Sequence, residues 1–372
     1  MTKKPGLLNI GVLFGGRSGE HDVSLASSAT VMTHLDRTKY KVFALGIRRD
    51  GGFATERESR DMLVKPLDWV TPAKGVISNK KSGNLLEIHA VTETAGKEES
   101  FHMDVFFPVL HGPFGEDGTL QGLLEMTGSP YVGCGTATSA CGMDKELTKR
   151  LLRESGLPVI PYRIVHKSEW ESSRRRTTDL VVSDVGAPCF VKPCRMGSSV
   201  GITRVNELSK IEHAIDEALQ HDYKALVEKA LDAREFECSV MGNRIISVSQ
   251  PGEILPSREF YDYSAKYLDG DASKLLIPAP VSEELSGKLR HLAKKAFLSL
   301  GGEGFGRVDF LQNRSDESIY INEINTIPGF TEISMFPKLW VHEGKSISEV
   351  LEHLVDLALE RHKWKTELKN MR

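Results

Sequence analysis

Residues 304–326 read GFGRVDFLQNRSDESIYINEINT. Two runs rich in β-branched and aromatic residues, Phe305–Leu311 and Ile319–Asn325, flank the turn formers Asn313-Arg314-Ser315-Asp316-Glu317, the pattern of a β-hairpin. With Asp309 set opposite Glu323, Arg307 falls opposite Asn325, and the period-two alternation of strands puts all four on one face. Val308, Phe310, Tyr320 and Ile324 are left for the other. One face then gathers two carboxylates, an amide oxygen and a guanidinium. Hard oxygens of this kind suit Mg²⁺, which takes one or two carboxylates and completes its shell with phosphate oxygens. The competing reading is an ion pair of Arg307 with Asp309 or Glu323 on a solvated sheet. The apolar surroundings and the following Pro328-Gly329 turn favour a site.

Working towards the N-terminus, Ser282 can cap a helix running to about Leu300, with Glu283 and Glu284 in its first turn and Gly301-Gly302 ending it. Pro256–Asp271 is polar, aromatic and irregular, the composition of an active-site lid. Cys189–Pro193 reads as a strand leading into the loop Arg195–Gly201. Lys192 stands just before Gly197-Ser198-Ser199, and Lys145 opens a helical stretch, Lys145–Glu154. Backbone N–H groups of such loops can cradle phosphate while lysines neutralise it. The loop lacks the Walker A spacing, and taken alone it also reads as an ordinary turn. Glu207–Gln220 reads as an amphipathic helix and Ala225–Lys229 as a strand. Boundaries are expected in Gly133–Gly142 and near Leu231–Arg234. Ser172–Thr178, with Arg174-Arg175-Arg176, reads as a solvated run, and Ser346–His362 as a closing helix with an apolar stripe.

The first third alternates strand, loop and helix: Leu8–Phe14, Gly15–Glu20, Asp22–Leu35, Lys41–Ile47, then the apolar run Phe101–Leu110 ending in His111-Gly112. This is an α/β pattern with a parallel sheet. Ligands bind at the carboxyl ends of such strands, which singles out Gly15–Glu20 and the loop from His111. A dinucleotide site is the alternative for the first loop, with Arg48 and Arg49 for a 2′-phosphate. However, Gly-Gly-Arg-Ser-Gly-Glu is not GxGxxG, and no acidic residue ends the second strand.

Composition sets the frame. The 372 residues allow two or three domains. A net charge of −3 gives no general attraction to nucleic acid or anionic lipid. No apolar run is long enough to span a membrane, and the charges at Arg17, Glu20, His21 and Asp22 do not fit a signal peptide. Cys134, Cys141, Cys189, Cys194 and Cys238 include no CxxC pair, so free thiols in a reducing cytoplasm are expected.

Taken in order along the chain, the motifs resemble those of the D-alanine–D-alanine ligase family. They are Gly15-Gly16-x-Ser18-x-Glu20, His111-Gly-x-x-Gly-Glu-Asp-Gly-Thr-Leu-Gln-Gly, Lys192-Pro-x-x-x-Gly197-Ser198-Ser199 and Tyr261-Asp-Tyr-x-Ala-Lys266-Tyr267. Arg307-x-Asp309 and Glu323-x-Asn325-Thr-x-Pro328-Gly329-Phe-Thr331 complete the set. The resemblance implies an α/β (α+β), three-domain ATP-grasp architecture with an N-terminal parallel-sheet domain. Its parts would be 1–133, 134–231 and 232–372, with a lid loop at 256–271. It implies ATP held by Lys145, Lys192, Ser199, Glu228, Lys229, Leu231, Glu235 and Lys266. Two Mg²⁺, or Mn²⁺ in their place, would sit on Asp309, Glu323 and Asn325. D-alanine would meet Glu20, His111, Arg307, Ser334 and Met335. Glu20, Ser198 and Tyr267 would tie the lid across the site, with Arg307 and the Gly329 N–H stabilising an oxyanion. The implied reaction passes through D-alanyl phosphate to D-alanyl-D-alanine, in a cytoplasmic homodimer with no nucleic-acid or membrane partner. Met196 stands where relatives often carry an acidic residue, and Met335 where leucine is common. Tyr267 implies an amine acceptor. D-lactate or D-serine as acceptor, and a nucleotide-binding module without turnover, are the other readings.

Overall fold

The computed structural model describes residues 6–65, 67–79, 86–94, 96–256 and 273–368. Three sheets follow one another along the chain. The first contains β1 (Leu8–Gly15), β2 (Tyr40–Ile47), β3 (Val70–Asn79), β4 (Leu86–Thr94), β5 (Lys97–His102) and β6 (Val105–Pro108), in the order β5-β4-β3-β2-β1-β6. The four strands β3-β2-β1-β6 are parallel, as the sequence predicts. Six of the eight residues of β1 are buried, as expected of a parallel strand covered on both faces. The antiparallel extension β3-β4-β5 is an addition that the sequence reading lacked. The expected run Phe101–Leu110 is split by Asp104, whose N–H donates to the Asn9 carbonyl at 2.9 Å while its carboxylate accepts from the Asn9 N–H at 2.7 Å.

The second sheet is antiparallel, with β7 (Tyr162–His166), β8 (Cys189–Pro193), β9 (Thr203–Val205) and β10 (Lys224–Lys229) in the order β7-β10-β8-β9. The third is also antiparallel. It runs β14 (Ser273–Leu276), β13 (Gly252–Pro256), β11 (Ala233–Gly242), β15 (Gly304–Asn313), β16 (Ile319–Asn325), with β12 (Ser247–Val248) on β11.

The helix Lys145–Glu154 starts on the Asp144 cap, whose carboxylate accepts from Glu146 N–H at 3.0 Å. The helix Glu283–Ser299 starts on the expected Ser282 cap. Most of Gly133–Gly142 is the helix Thr136–Met143. Arg174–Asp184 is a helix whose arginines are exposed, as read for that run, with Arg174 on Asp216 at 2.7 Å. The five cysteines are free, and four are buried.

The last helix, Ile347–Glu367, is capped reciprocally by Ser346 and Glu349. Its Val350, Leu351, Leu354 and Val355 share one core with Ile10, Val12, Val42 and Phe107 of the first sheet. Phe305, Phe330 and Phe336 enter the same core, with ring centroids 5.2–5.8 Å apart. The loop after β16 is thereby anchored beside the first sheet.

Candidate active site

The hairpin has the expected register: Arg307 opposite Asn325, Asp309 opposite Glu323. Val308, Phe310 and Ile324 are buried in the core on the opposite face. Tyr320 departs from expectation. A bulge after Asp309 leaves Asn322 unpaired, so Phe310 meets Ile321 and Tyr320 meets Leu311, on the polar face's side. The extra residue shifts the alternation, and the spacing Ile319-x-Ile321-x-x-Ile324 was its signature in the sequence.

Arg307 grips Asp309 with two bonds, Nε to Oδ1 and Nη2 to Oδ2, both 2.7 Å, and its Nε also lies 3.0 Å from Glu237 Oε2 on β11. Burial disfavours the charged guanidinium, but Asp309 and then Glu237 outweigh it and hold its pKa well above the usual value. Asn325 Nδ2 donates to Asp309 Oδ2 at 3.0 Å. The ion pair and the ligand face are thus the same structure. Among the described residues, no three His, Cys, Asp or Glu side chains form a metal cage. Two opposed carboxylates and an amide fit an ion that takes its remaining ligands from phosphate and water.

Lys145 opens its helix and donates from Nζ to the Met196 carbonyl at 2.7 Å, so it meets the loop Arg195–Gly201 through backbone. The side chain at position 196 has no part in that contact. Burial lowers the Lys145 pKa; the Glu323 charge opposes this most, and Lys192 adds to the lowering. Lys192, on β8, forms an ion pair with Glu228 Oε1 of β10, and Lys149 holds Glu228 Oε2 at 2.9 Å. Burial pushes Glu228 up, but Lys149 and then Lys192 prevail and bring it down to about 2. Lys229 is exposed, Leu231 is half-buried in the link to β11, and Glu235 on β11 faces Ile254 and Leu311.

Glu20 stands at the start of the helix His21–His34 and is buried. The Ser198 hydroxyl donates to its Oε1 across 178 residues of sequence. Gly112, at φ 74°, and Gly197 both border the other oxygen. A Cβ at Gly197 would lie 2.7 Å from Glu20 Oε2, and one at Gly112 would collide with it. Ser198 and Ser199 are left-handed, at φ 49° and 60°. Side chains hold that conformation only where their surroundings impose it, and the Glu20 bond is one such constraint.

His111 is buried and bonded at both nitrogens, Nδ1 to the Ile327 carbonyl at 2.9 Å and Nε2 to Ser27 Oγ at 3.0 Å. A carbonyl can only accept, so Nδ1 carries the proton and Nε2 accepts from Ser27. Ser27 Oγ in turn accepts the Phe330 N–H at 3.2 Å. Burial lowers the His111 pKa, keeping the ring neutral, with Glu20 opposing. Glu116 takes the Gly112 N–H at 2.6 Å and the Ile327 N–H at 3.1 Å. Burial, then the Glu20 charge, push it up to about 8. The Ile327 peptide is therefore clamped on both sides. Two residues on, Gly329 lies against Ser334, which precedes the helix Met335–His342 and whose hydroxyl accepts the Thr331 N–H at 3.0 Å instead of capping the helix. The Met335 side chain packs with Ile254 and Leu339, leaving its backbone N–H to the helix N-terminus.

A three-sheet chain with a lysine-flanked glycine/serine loop facing a carboxylate-bearing antiparallel sheet is an ATP-grasp fold. The solved structures agree. The chain superposes on the D-alanine-D-alanine ligase of Coxiella burnetii with a TM-score of 0.83 at 30% identity, covering 98% of this chain and 97% of that one. With the VanG D-Ala:D-Ser ligase of Enterococcus faecalis it gives 0.80 at 33% identity, covering 95% and 100%. Residues 9–134 match the family description "D-ala D-ala ligase N-terminus", and 151–356 match "D-ala D-ala ligase C-terminus". Curated relatives named D-alanine–D-alanine ligase are 46% identical in Heliobacterium modesticaldum, over 96% of both chains, and 42% identical in Bacillus cytotoxicus, over 99% of both. The chain belongs to the D-alanine–D-alanine ligase family.

The structure brings Glu20, His111, Ser198, Arg307, Asp309, Glu323, Asn325, Lys145, Lys192 and Glu228 into adjoining clusters. Lys266, Tyr267 and most of the expected lid lie outside the described residues. Arg48 and Arg49 are engaged by Asp50, Glu58 and Asp22 instead of awaiting a 2′-phosphate. Sequence reasoning missed Ser27, Glu116, Lys149 and Glu237. Glu116 lay in a quoted motif, and the alternation Arg234-Glu-Phe-Glu-Cys could have marked Glu237 as facing the hairpin's polar side. Ser27 left no local signal, and Lys149 left only its place one helical turn after Lys145.

Proposed function

We propose that this chain uses ATP to join two D-alanines into D-alanyl-D-alanine for peptidoglycan precursors, with the domain parts and residue roles given above. The observation that carries the reading is the loop Arg195–Gly201. Through Met196 it holds Lys145, which senses Glu323, and through Ser198 it holds Glu20. One short loop joins the phosphate, metal and amino-acid elements.

ATP lies between the second and third sheets, on Glu228, Lys229, Leu231 and Glu235, with its phosphates on Lys145, Lys192, Ser199 and Lys266. Asp309, Glu323 and Asn325 hold Mg²⁺, two ions in the full reading, with Mn²⁺ able to substitute. Bound there, the metal neutralises phosphate charge. Glu20 takes the ammonium of the first D-alanine, and neutral His111 borders it. The carboxylate of that D-alanine attacks the γ-phosphorus in line, releasing ADP and giving D-alanyl phosphate. The second D-alanine, its carboxylate at Ser334 and the Met335 N–H, attacks the acyl carbon with its amine and expels phosphate. Arg307 and the Gly329 N–H face the oxyanion of that step. Tyr267, with Ser198 and Glu20, closes the lid so that water does not reach the acyl phosphate.

The assembly is a cytoplasmic homodimer by family resemblance. No helix among the described residues is long and apolar enough to cross a membrane. The test is turnover with ATP, Mg²⁺ and D-alanine, following phosphate and product mass together. Dipeptide with stoichiometric phosphate is expected. Product only with D-serine or D-lactate would move the acceptor, and ATP binding without product would leave a nucleotide-binding module.

A further inference from the structure

Lys149 follows Lys145 by one helical turn, so both project from the same face of the helix Lys145–Glu154. They do different work. Lys145 reaches the glycine/serine loop, whereas Lys149 ends on Glu228 Oε2 at 2.9 Å, each side chain 2% exposed. Its ammonium also faces the Tyr162 ring, 5.6 Å from the centroid. Lys192 takes the other Glu228 oxygen and is 14% exposed. One carboxylate therefore has two ammonium partners, one sealed in and one nearer the surface beside the loop Arg195–Gly201.

We propose that Lys149 is a positioning residue for the nucleotide: it remains on Glu228 as a fixed counter-ion, so that Lys192 can leave that carboxylate for a phosphate oxygen. The inference rests on the nucleotide reading above. A buried carboxylate stripped of its only partner is strongly disfavoured. Were Lys192 the sole cation on Glu228, every move onto phosphate would strand a charge in the interior. With Lys149 in place, Glu228 stays ionised and paired while Lys192 moves. The low Glu228 pKa fits this, since the Lys149 charge is the largest single influence lowering it.

The experiment is Mg²⁺·ATP binding by titration calorimetry on the full chain, with steady-state constants for ATP and D-alanine. The proteins are wild type, Lys149→Met, Lys149→Arg, Glu228→Gln and the double variant Lys149→Met/Glu228→Gln. Lys149→Met is expected to weaken ATP binding roughly 150-fold, the lower end of the scale of breaking a buried pair. Its D-alanine KM should be unmoved, and Lys149→Arg should recover most of the loss. In the Glu228→Gln background, where no charge remains to be held, adding Lys149→Met should cost nothing further. Unchanged ATP affinity in Lys149→Met, or an equal loss in both backgrounds, would overturn the inference. If the single variant does not fold, a loss of ATP affinity on adding Lys149→Met to Glu228→Gln overturns the inference, and Lys149→Arg retaining affinity where Lys149→Met fails supports it. Wild type failing to bind ATP would overturn the nucleotide reading itself, a distinguishable result.

Discussion

The hairpin face and the pocket around Glu20 are neighbours but are assembled in opposite ways. Arg307, Asp309, Glu323 and Asn325 come from a single stretch and are aligned by one ladder of backbone bonds. The Glu20 pocket is stitched from four separate loops. Ser198 reaches Glu20, His111 and Glu116 reach Ile327, and Ser27 reaches Phe330, by side-chain bonds spanning 84 to 303 residues of sequence. A ladder keeps its geometry when one side chain is changed. A stitched pocket loses position when any one link is cut, so the two halves should fail differently under mutation.

The largest effect is expected on the ladder side. Glu323→Ala should lower turnover by at least about 10³-fold through loss of metal and phosphate neutralisation, with the melting temperature nearly unchanged. Near-normal activity would break the metal assignment. Next comes the anchor behind the stitched side. Phe330→Ala should destabilise the fold by about 3–5 kcal/mol in urea unfolding, as for other fully buried aromatics. A cost below about 1 kcal/mol would show that the loop after β16 does not depend on that core. Ser198→Ala should act as a positioning loss, reducing kcat/KM for D-alanine roughly 10- to 100-fold while ATP binding changes little. An equal loss in ATP affinity would mean that the loop, not Glu20, is what Ser198 holds.

The smallest effect concerns pH. Glu116 has its pKa raised in the fold from 4.5 to about 8. A carboxyl raised on folding binds its proton more tightly in the native state. Its contribution to stability is therefore full below the unfolded value of 4.5 and is lost as pH rises towards about 8. The melting temperature of wild type should accordingly fall relative to Glu116→Gln between pH 5 and 8, by a few degrees. Parallel curves for the two proteins would show that Glu116 is ionised throughout.

The same contrast explains what could be read in advance. Register and face in the hairpin are consequences of period-two alternation within one segment, and they came out as expected. The exception, Tyr320, lies where the bulge adds a residue, and simple alternation cannot count an unpaired one. The strand Cys189–Pro193 and the helix Lys145–Glu154 were bounded correctly because each is framed by local signals. Ser27, Glu116 and Lys149 were not found, since their partners are separated from them by 303, 211 and 79 residues. Only the folded chain makes them neighbours. For Glu20 and Ser198 the family motifs supplied what local chemistry could not. The strand β5 escaped notice because its sequence is polar and it lies at the sheet's exposed edge, whereas β4 carries a strand signal, Leu86-x-Ile88-x-Ala90, that the sequence reading passed over.

The helix Ile347–Glu367 fills the core of the first sheet, with Lys39 on Glu352 and Arg361 on the Tyr131 carbonyl at 2.8 Å binding it there. This has a consequence for biosynthesis. The first sheet emerges from the ribosome early, but one of its faces is covered only in part, by the helix His21–His34, until the closing helix has been translated. The opening third can therefore complete its core only when the closing helix arrives.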